Sequence, residues 1–297
     1  MRSGFVGIVG RPNVGKSTLL NAILGEKIAI TTEKPQTTRN TIRGIYTRID
    51  GVDEGIQMVF IDTPGIHRPR TKLGSYMTEA AIGTFREVDV ILFLADSHPE
   101  KTPQDRYILD LLKETDTPRI AVINKVDSLK PDEFQEIFHA YEEMEIFDNI
   151  IGISALQGIR VEDLLEMTGE YMEEGPMYFP EDQVSEEPLR FIAAEIIREK
   201  VLLYMEDEIP HGVAVEIESY EEEEELTRIG AVIYCEKKSH KGMIIGKGGR
   251  KLKGIGKSAR QELEALVGTK VFLQTWVKVR ENWRDSDRAL SQFGYGE

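Results

Sequence analysis

Residues 5–24, FVGIVGRPNVGKSTLLNAIL, constrain the fold more than any other stretch: an apolar strand run, then a loop with glycines at 10 and 15 and a lysine at 16, then a helical run. Strand, G-x-x-x-x-G-K-S and helix in that order make a loop whose backbone N–H groups and helix N-terminus face a phosphate. Gly10 and Gly15 let the loop curl, Lys16 is placed to reach the β- and γ-phosphates, and the Ser17 hydroxyl can take one position on Mg²⁺. Arg11, Pro12, Asn13, Val14 and Thr18 complete the expected nucleotide cradle.

From residue 5 to about 173 the alternation continues: VDVILFLAD then TPQDRYILDLLKE, RIAVIN then PDEFQEIFHAYEEM, IIGIS then VEDLLEMTGEYM. Strands separated by helices of about 10 to 15 residues connect through right-handed crossovers and give a mostly parallel sheet covered on both faces. IRGIYTRID and IQMVFIDT, joined by the turn-rich GVDEG, are expected to form a hairpin and add one antiparallel strand. The expectation for residues 1–173 is an α/β, doubly wound, mostly parallel sheet.

Three further motifs follow: DTPG at 62–65, NKVD at 124–127 and SAL at 154–156. Asp62 closes an apolar strand, where a carboxylate can hold Mg²⁺ through water. Thr63, Pro64 and Gly65 continue the loop, and the Gly65 N–H can meet a γ-phosphate and sense its presence. The polar loop 34–41, KPQTTRNT, offers hydroxyls to close the metal; Thr38, just before Arg39, is favoured over Thr37. NKVD follows the strand RIAVI, at the carboxyl edge where doubly wound sheets bind ligands. There Asp127 can accept from guanine N1–H and the 2-amino group, Asn124 can brace the loop and reach the base, and Lys125 can lay its stem along it. The backbone of Ser154 and Ala155 can donate to guanine O6. Adenine presents neither donor to the carboxylate, and a site built this way discriminates by about 10⁴ or more. The ordered set implies GTP, bound with Mg²⁺ and hydrolysed, with hydrolysis depending on Lys16, Thr38 and Gly65. Ile66, which follows Gly65, is apolar and cannot orient water.

Residues 173–188, EEGPMYFPEDQVSEEP, hold three prolines and six acidic residues without an apolar period, so 174–188 is expected to be a linker. Beyond it come a helix (LRFIAAEIIREKVLLYM), two strands around EEEEEL, a glycine loop, a helix over 250–267 and the strand KVFLQTWVKVR, an α+β order. The five glutamates at 221–225 are expected at a solvated hairpin tip. IGKGGRKL at 245–252 fits I-G-x-x-G-x-x-[IL], the pattern of a KH-type loop that lets a nucleic-acid backbone approach. Its expected RNA contacts are Ile245, Gly246, Lys247, Gly248, Gly249, Arg250, Lys251 and Lys253. Leu252, Ile255, Ala259, Leu263 and Leu266 fall on one face of the following helix. Phe272, Trp276, Lys278 and Arg280 share one strand face and could stack on bases; a strand tryptophan is more often core, and that is the expectation for Trp276.

A net charge of −15 argues against diffuse attraction to a polyanion. The charge is uneven, however: residues 237–297 carry 14 Lys and Arg against 6 Asp and Glu, and residues 1–236 carry 23 against 46. Any polyanion contact therefore belongs to the C-terminal segment. No run reaches the roughly 20 apolar residues of a membrane span, and the N-terminus leads directly into a strand pattern; a soluble, cytoplasmic chain is expected. The single cysteine, Cys235, lies in the apolar run IGAVIYC and is expected to be a buried structural thiol.

The nucleotide motifs resemble those of the translation-factor-like branch of the small GTPases. GRPNVGKS, QTTRN, DTPGI and NKVD followed by GKGG resemble the Era family over nearly the whole chain. The resemblance implies a GTPase domain at 1–173 and, after the linker, a KH-type RNA-binding domain with a C-terminal extension at 189–297. It further implies a role in 30S ribosomal subunit assembly in which the KH domain holds the 3′ end of 16S rRNA. Peripheral association with the inner membrane, and a monovalent cation such as K⁺ near Asn13 that assists hydrolysis, are implied as well. A monomer is expected. Two other functions fit parts of the chain. One is a non-catalytic RNA-binding scaffold with structural nucleotide, which GTP turnover would exclude. The other is a P-loop phosphotransferase, against which NKVD with SAL argues.

Overall fold

The computed structural model describes residues 1–34, 36–51, 54–99, 101–205 and 209–295; residue 35 of the loop 34–41 and residues 52–53 of the turn 51–55 lie outside the described residues. The chain forms two compact units. One holds residues 1–29, 38–70 and 74–186, the other 30–37, 71–73 and 187–297.

In the first unit, β1 (Arg2–Val9) leads through the glycine loop into α1 (Lys16–Leu24), and β2 (Ile42–Gly51) and β3 (Glu54–Asp62) form the expected antiparallel hairpin. Then come α2 (Lys72–Gly83, whose first two residues belong to the other unit), β4 (Val90–Ala95), α3 (Pro103–Leu112), β5 (Arg119–Ile123), α4 (Pro131–Glu142), β6 (Asn149–Gly152), α5 (Val161–Gly169) and the two-residue β7 (Glu173–Glu174). The strand order is β2-β3-β1-β4-β5-β6, with β1 parallel to both β3 and β4, and β4, β5 and β6 parallel to one another. All six residues of β4 are buried, as a strand covered on both faces requires. Phe93 of β4 stacks on Phe147 and meets Tyr141, closing a core that includes Ile66, Ile91, Ile108 and Leu112. Helix α3 starts where Thr102 accepts the Asp105 N–H and a proline occupies the first turn. This topology delivers the ends of β1, β3, β4, β5 and β6 to one edge of the sheet, and with them residues 10–15, Asp62, Asp96, Asn124 and Ser154.

The expected linker 174–188 is corrected by the structure: residues to 186 belong to the first unit. Glu173 and Glu174 pair with Ser3 and Arg2. The buried Gln57 amide donates to the Phe179 carbonyl (2.9 Å) and to Thr47 (2.9 Å), while its oxygen accepts the Tyr178 and Phe179 N–H groups (2.8 and 3.0 Å). Farther along, the Ile45 N–H donates to the Val184 carbonyl at 2.9 Å. The segment is a strap bonded through its backbone, and prolines spaced four or more residues apart leave the N–H groups between them free to pair.

In the second unit, α6 (Leu189–Tyr204), β8 (Ala214–Glu222), β9 (Leu226–Cys235), α7 (Lys238–Ile245), α8 (Arg250–Val267), β10 (Lys270–Val279) and α9 (Asp287–Gln292) follow in order. The sheet runs β10-β9-β8, with β9 parallel to β10 and antiparallel to β8. Ile192, Ile196 and Val201 of α6, Ile229 and Ile233 of β9, and Ile255, Ala259 and Leu263 of α8 fill its core. Glu221–225 are exposed at the hairpin tip, and Cys235 is buried, which pushes its thiol pKa up. The expectation for Trp276 fails: it is 45% exposed and Phe272 47%. Period two along β10 turns Val271 and Val277 into the core, which sends Phe272 and Trp276 to the opposite face. The fully buried tryptophan is instead Trp283, whose Nε1 donates to the Gly212 carbonyl at 2.9 Å and whose ring meets Phe293 edge-on. Fully buried Arg198 pairs with Glu195 and donates to the Thr37 carbonyl, while Glu199 accepts the Thr31 N–H at 3.0 Å. Residues 30–37 are thereby bound into this unit.

Candidate functional site

Lys16, at the start of α1, is almost wholly buried and its Nζ donates to the Gly10 and Arg11 carbonyls at 3.1 Å each. Burial lowers its pKa to about 8, opposed by the Asp62 carboxylate. Ser17 Oγ lies 2.8 Å from Thr38 Oγ1 and donates to Asp62 Oδ2 at 2.6 Å. Burial raises the Asp62 pKa to about 6, against the pull of the Lys16 ammonium and the Ser17 hydroxyl, and its Oδ1 is buried without a hydrogen-bond partner. Three oxygen-bearing side chains from three segments thus converge, one with an unsatisfied anionic oxygen. That donor set fits a hard divalent cation such as Mg²⁺. No cluster of three His, Cys, Asp or Glu exists among the described residues, so an ion here would be shared with phosphate and water oxygens.

The loop after Asp62 is pinned to the phosphate loop. The Thr63 hydroxyl and N–H both donate to the Ile8 carbonyl (2.8 and 3.3 Å), and the Ile66 N–H donates to the Gly10 carbonyl at 3.2 Å. Gly65 packs so closely on Pro12 that a Cβ there would stand 2.7 Å from the proline nitrogen and Cγ. The Ile66 side chain is fully buried in the core.

In the loop 124–127, buried Asn124 donates to the Val14 carbonyl (2.7 Å) and accepts the Ala155 N–H (2.9 Å), joining three of the sequence motifs through one amide. Lys125 Nζ spans to the Asn13 carbonyl and to Asp96, each at 2.8 Å. Asp127, expected to read the base, is exposed on the short turn Val126–Ser128. The Ser154 and Ala155 amides, expected to donate to guanine O6, have partners within the protein. The Ser154 N–H donates to the Ile159 carbonyl (3.1 Å) and the Ala155 N–H to Asn124, because the loop bends back on itself at 154–159. Leu156, 77% exposed, is the member of SAL that stands clear. Arg11, expected in the cradle, turns its guanidinium to Asp96 and Asp105 and leaves only its backbone in the loop. Sequence reasoning passed over Asp96; an acidic residue one position beyond β4, outside every motif, gave no signal except its place at the sheet edge.

The KH-type loop lies between α7 and α8 as a short turn, Lys247–Gly249. Gly248 and Gly249 hold φ of 61° and 75°, in the left-handed region, and a Cβ on either would meet nothing within 4 Å. The backbone here is bare and approachable. Lys247, Arg250, Lys251 and Lys253 are exposed around it, and Ile245 and Gly246 are half-buried.

A family model described as 50S ribosome-binding GTPase matches residues 5–125, and a KH domain model matches residues 208–284. The GTPase Era of Alkaliphilus oremlandii is 54% identical over 296 residues, 99% of each chain. That of Clostridioides difficile is 54% identical over 299 residues, 100% of this chain and 99% of its own. The chain belongs to the Era family. It is a GTPase, which sets aside the scaffold reading, and its fold is the expected α/β P-loop sheet followed by an α+β KH domain. Among solved structures, Era in complex with MgGDPNP and nucleotides 1506–1542 of 16S ribosomal RNA has a TM-score of 0.94 at 38% identity. An Era variant of Aquifex aeolicus bound to GDP·AlF₄⁻ has 0.92 at 39%; both alignments cover both chains in full.

Proposed function

We propose that this Era-family GTPase is an RNA-binding switch of 30S subunit assembly that holds the 3′ end of 16S rRNA in the loop 245–253 while GTP orders the segments at Thr38 and Gly65. The convergence of Ser17, Thr38 and the unsatisfied Asp62 oxygen carries the nucleotide half of the reading. Ser17 and Thr38 would hold Mg²⁺ directly and Asp62 through water, and the ion would neutralise charge between the β- and γ-phosphates. Lys16, already among carbonyls that fix its ammonium, binds the same phosphates; the Gly65 N–H meets the γ-phosphate, and Asp127 reads the base. A monovalent cation such as K⁺ beside Asn13 belongs to the proposal on family resemblance alone.

The RNA half rests on the bare glycine turn with its exposed cations, and on an Era relative solved with nucleotides 1506–1542 of 16S ribosomal RNA. Peripheral contact with the inner membrane belongs to the proposal on family resemblance alone; no helix among the described residues is long and apolar enough to cross a membrane. Cross-linking the protein to RNA in cells and sequencing the attached fragments tests the reading. Enrichment of the 16S 3′ end is expected, and a profile dominated by other RNAs overturns it. GTP turnover in K⁺ against Na⁺ buffer tests the cation, with equal rates counting against it.

A further inference from the structure

Asp96 follows the last residue of β4, outside the sequence motifs, and its two oxygens serve two different nucleotide loops. Oδ1 pairs with Arg11 Nη2 of the phosphate loop, and Oδ2 accepts from Lys125 Nζ of the base-reading loop at 2.8 Å. Lys125 Nζ also donates to the carbonyl of Asn13. Arg11 is steadied from its other side by fully buried Asp105, which is itself held by Thr102. Asn13 and Lys125, the two residues joined by that ammonium, both hold left-handed backbone, with φ of 67° and 64°. Non-glycine residues keep such a conformation only where the surroundings over-determine it.

We propose that Asp96 is a positioning residue for guanine-nucleotide retention: by anchoring Lys125 and Arg11 together it locks the base-reading loop against the phosphate loop. The inference rests on the assignment of residues 124–127 to the base. Without the carboxylate, the Lys125 ammonium keeps one weaker partner, the Asn13 carbonyl, and water competes for it. The two loops then open independently, and nucleotide leaves through the gap. Because both loops contact parts common to GDP and GTP, both nucleotides are affected alike. This separates Asp96 from residues that sense the γ-phosphate.

The test is the release rate of fluorescent GDP and GTP analogues from the full chain. Asp96→Ala is expected to speed release of both by about 10- to 100-fold with their ratio unchanged, and Asp96→Asn, which keeps one acceptor for Lys125, to fall between. A double-mutant cycle with Lys125→Ala reads what a merely structural role would not move. If Asp96 acts through Lys125, its removal in the Lys125→Ala background adds less than about threefold. Fully additive effects, an unchanged release rate in Asp96→Ala, or a change confined to GTP overturn the proposal. Thermal melts of each variant with and without nucleotide separate this from unfolding: a loss of nucleotide-free stability that accounts for the faster release also counts against it. Failure of Asp127→Asn to redirect base preference overturns the base-loop assignment instead, so the two failures are distinguishable.

Discussion

Replacing Gly65 by alanine puts a methyl carbon 2.7 Å from the nitrogen and Cγ of Pro12 and 2.8 Å from its Cα. Two of these three atoms are phosphate-loop backbone, so no side-chain rotation relieves the overlap. Reaching ordinary contact at 3.4 Å requires the loop 62–66 to retreat by about 0.7 Å. The Ile66 N–H to Gly10 carbonyl bond, now 3.2 Å, would stretch to about 3.9 Å, beyond hydrogen-bonding range. The Gly65 N–H recedes equally from a γ-phosphate, and a hydrogen bond to a charged group is worth about 1.5–3 kcal/mol. GTP should therefore bind about 10- to 150-fold more weakly while GDP, which lacks that phosphate, is nearly unaffected. Calorimetric titration of Gly65→Ala with GDP and with a non-hydrolysable GTP analogue measures both. Equal weakening of the two would place the damage in the phosphate loop itself. No weakening would mean the loop retreats without cost; either result refutes the reasoning.

Asp127→Asn should move preference from guanosine to xanthosine nucleotides, since the amide offers a donor where xanthine has a carbonyl; equal weakening of the two in competition assays would remove Asp127 from base reading. Ile66→Ala, cutting into a fully buried site, should cost about 2–4 kcal/mol of stability by denaturant titration. GTP turnover well below the melting range should still fall less than about tenfold, and a loss beyond a hundredfold would assign the side chain a larger part in hydrolysis. Gly249→Asp should leave GTP affinity intact and abolish binding of single-stranded RNA in moderate salt. Asp tolerates left-handed backbone better than most residues and its Cβ meets open space, so the lost affinity should come from its charge and bulk against phosphate. Retained RNA affinity would disconnect the loop from RNA.

The nucleotide edge was legible because its spacing is local: strand, loop and helix succeed one another within residues 5–24, and DTPG and NKVD each close an apolar run. The core face of α8 was legible for the same reason, Ile255, Ala259 and Leu263 falling on one side of a regular helix. The strap at 174–186 was not, because what fixes it is pairing with β1 and β2 and a glutamine amide more than 120 residues away, all bonding to its backbone, and backbone leaves no trace in composition. The helix at 72–83 carries an i, i+4 signal in Leu73, Met77 and Ala81, all buried, but serine, threonine and glycine between them dilute it. Trp276 was misplaced in the core for a physical reason. An edge strand keeps one face open unless later chain covers it, and the C-terminal turn that buries Trp283 does so with Phe293 and Tyr295, distant from any regular period.

The placement of residues 30–37 in the second unit bears on modularity. The boundary between the two bodies runs through the peptide bond joining Thr37 to Thr38, not only through the acidic segment near 187. A chimaera spliced at that later point would carry Arg198 and Glu199 without the carbonyl of Thr37 and the N–H of Thr31, leaving a buried guanidinium short of an acceptor. A working graft must transplant the earlier octapeptide as well.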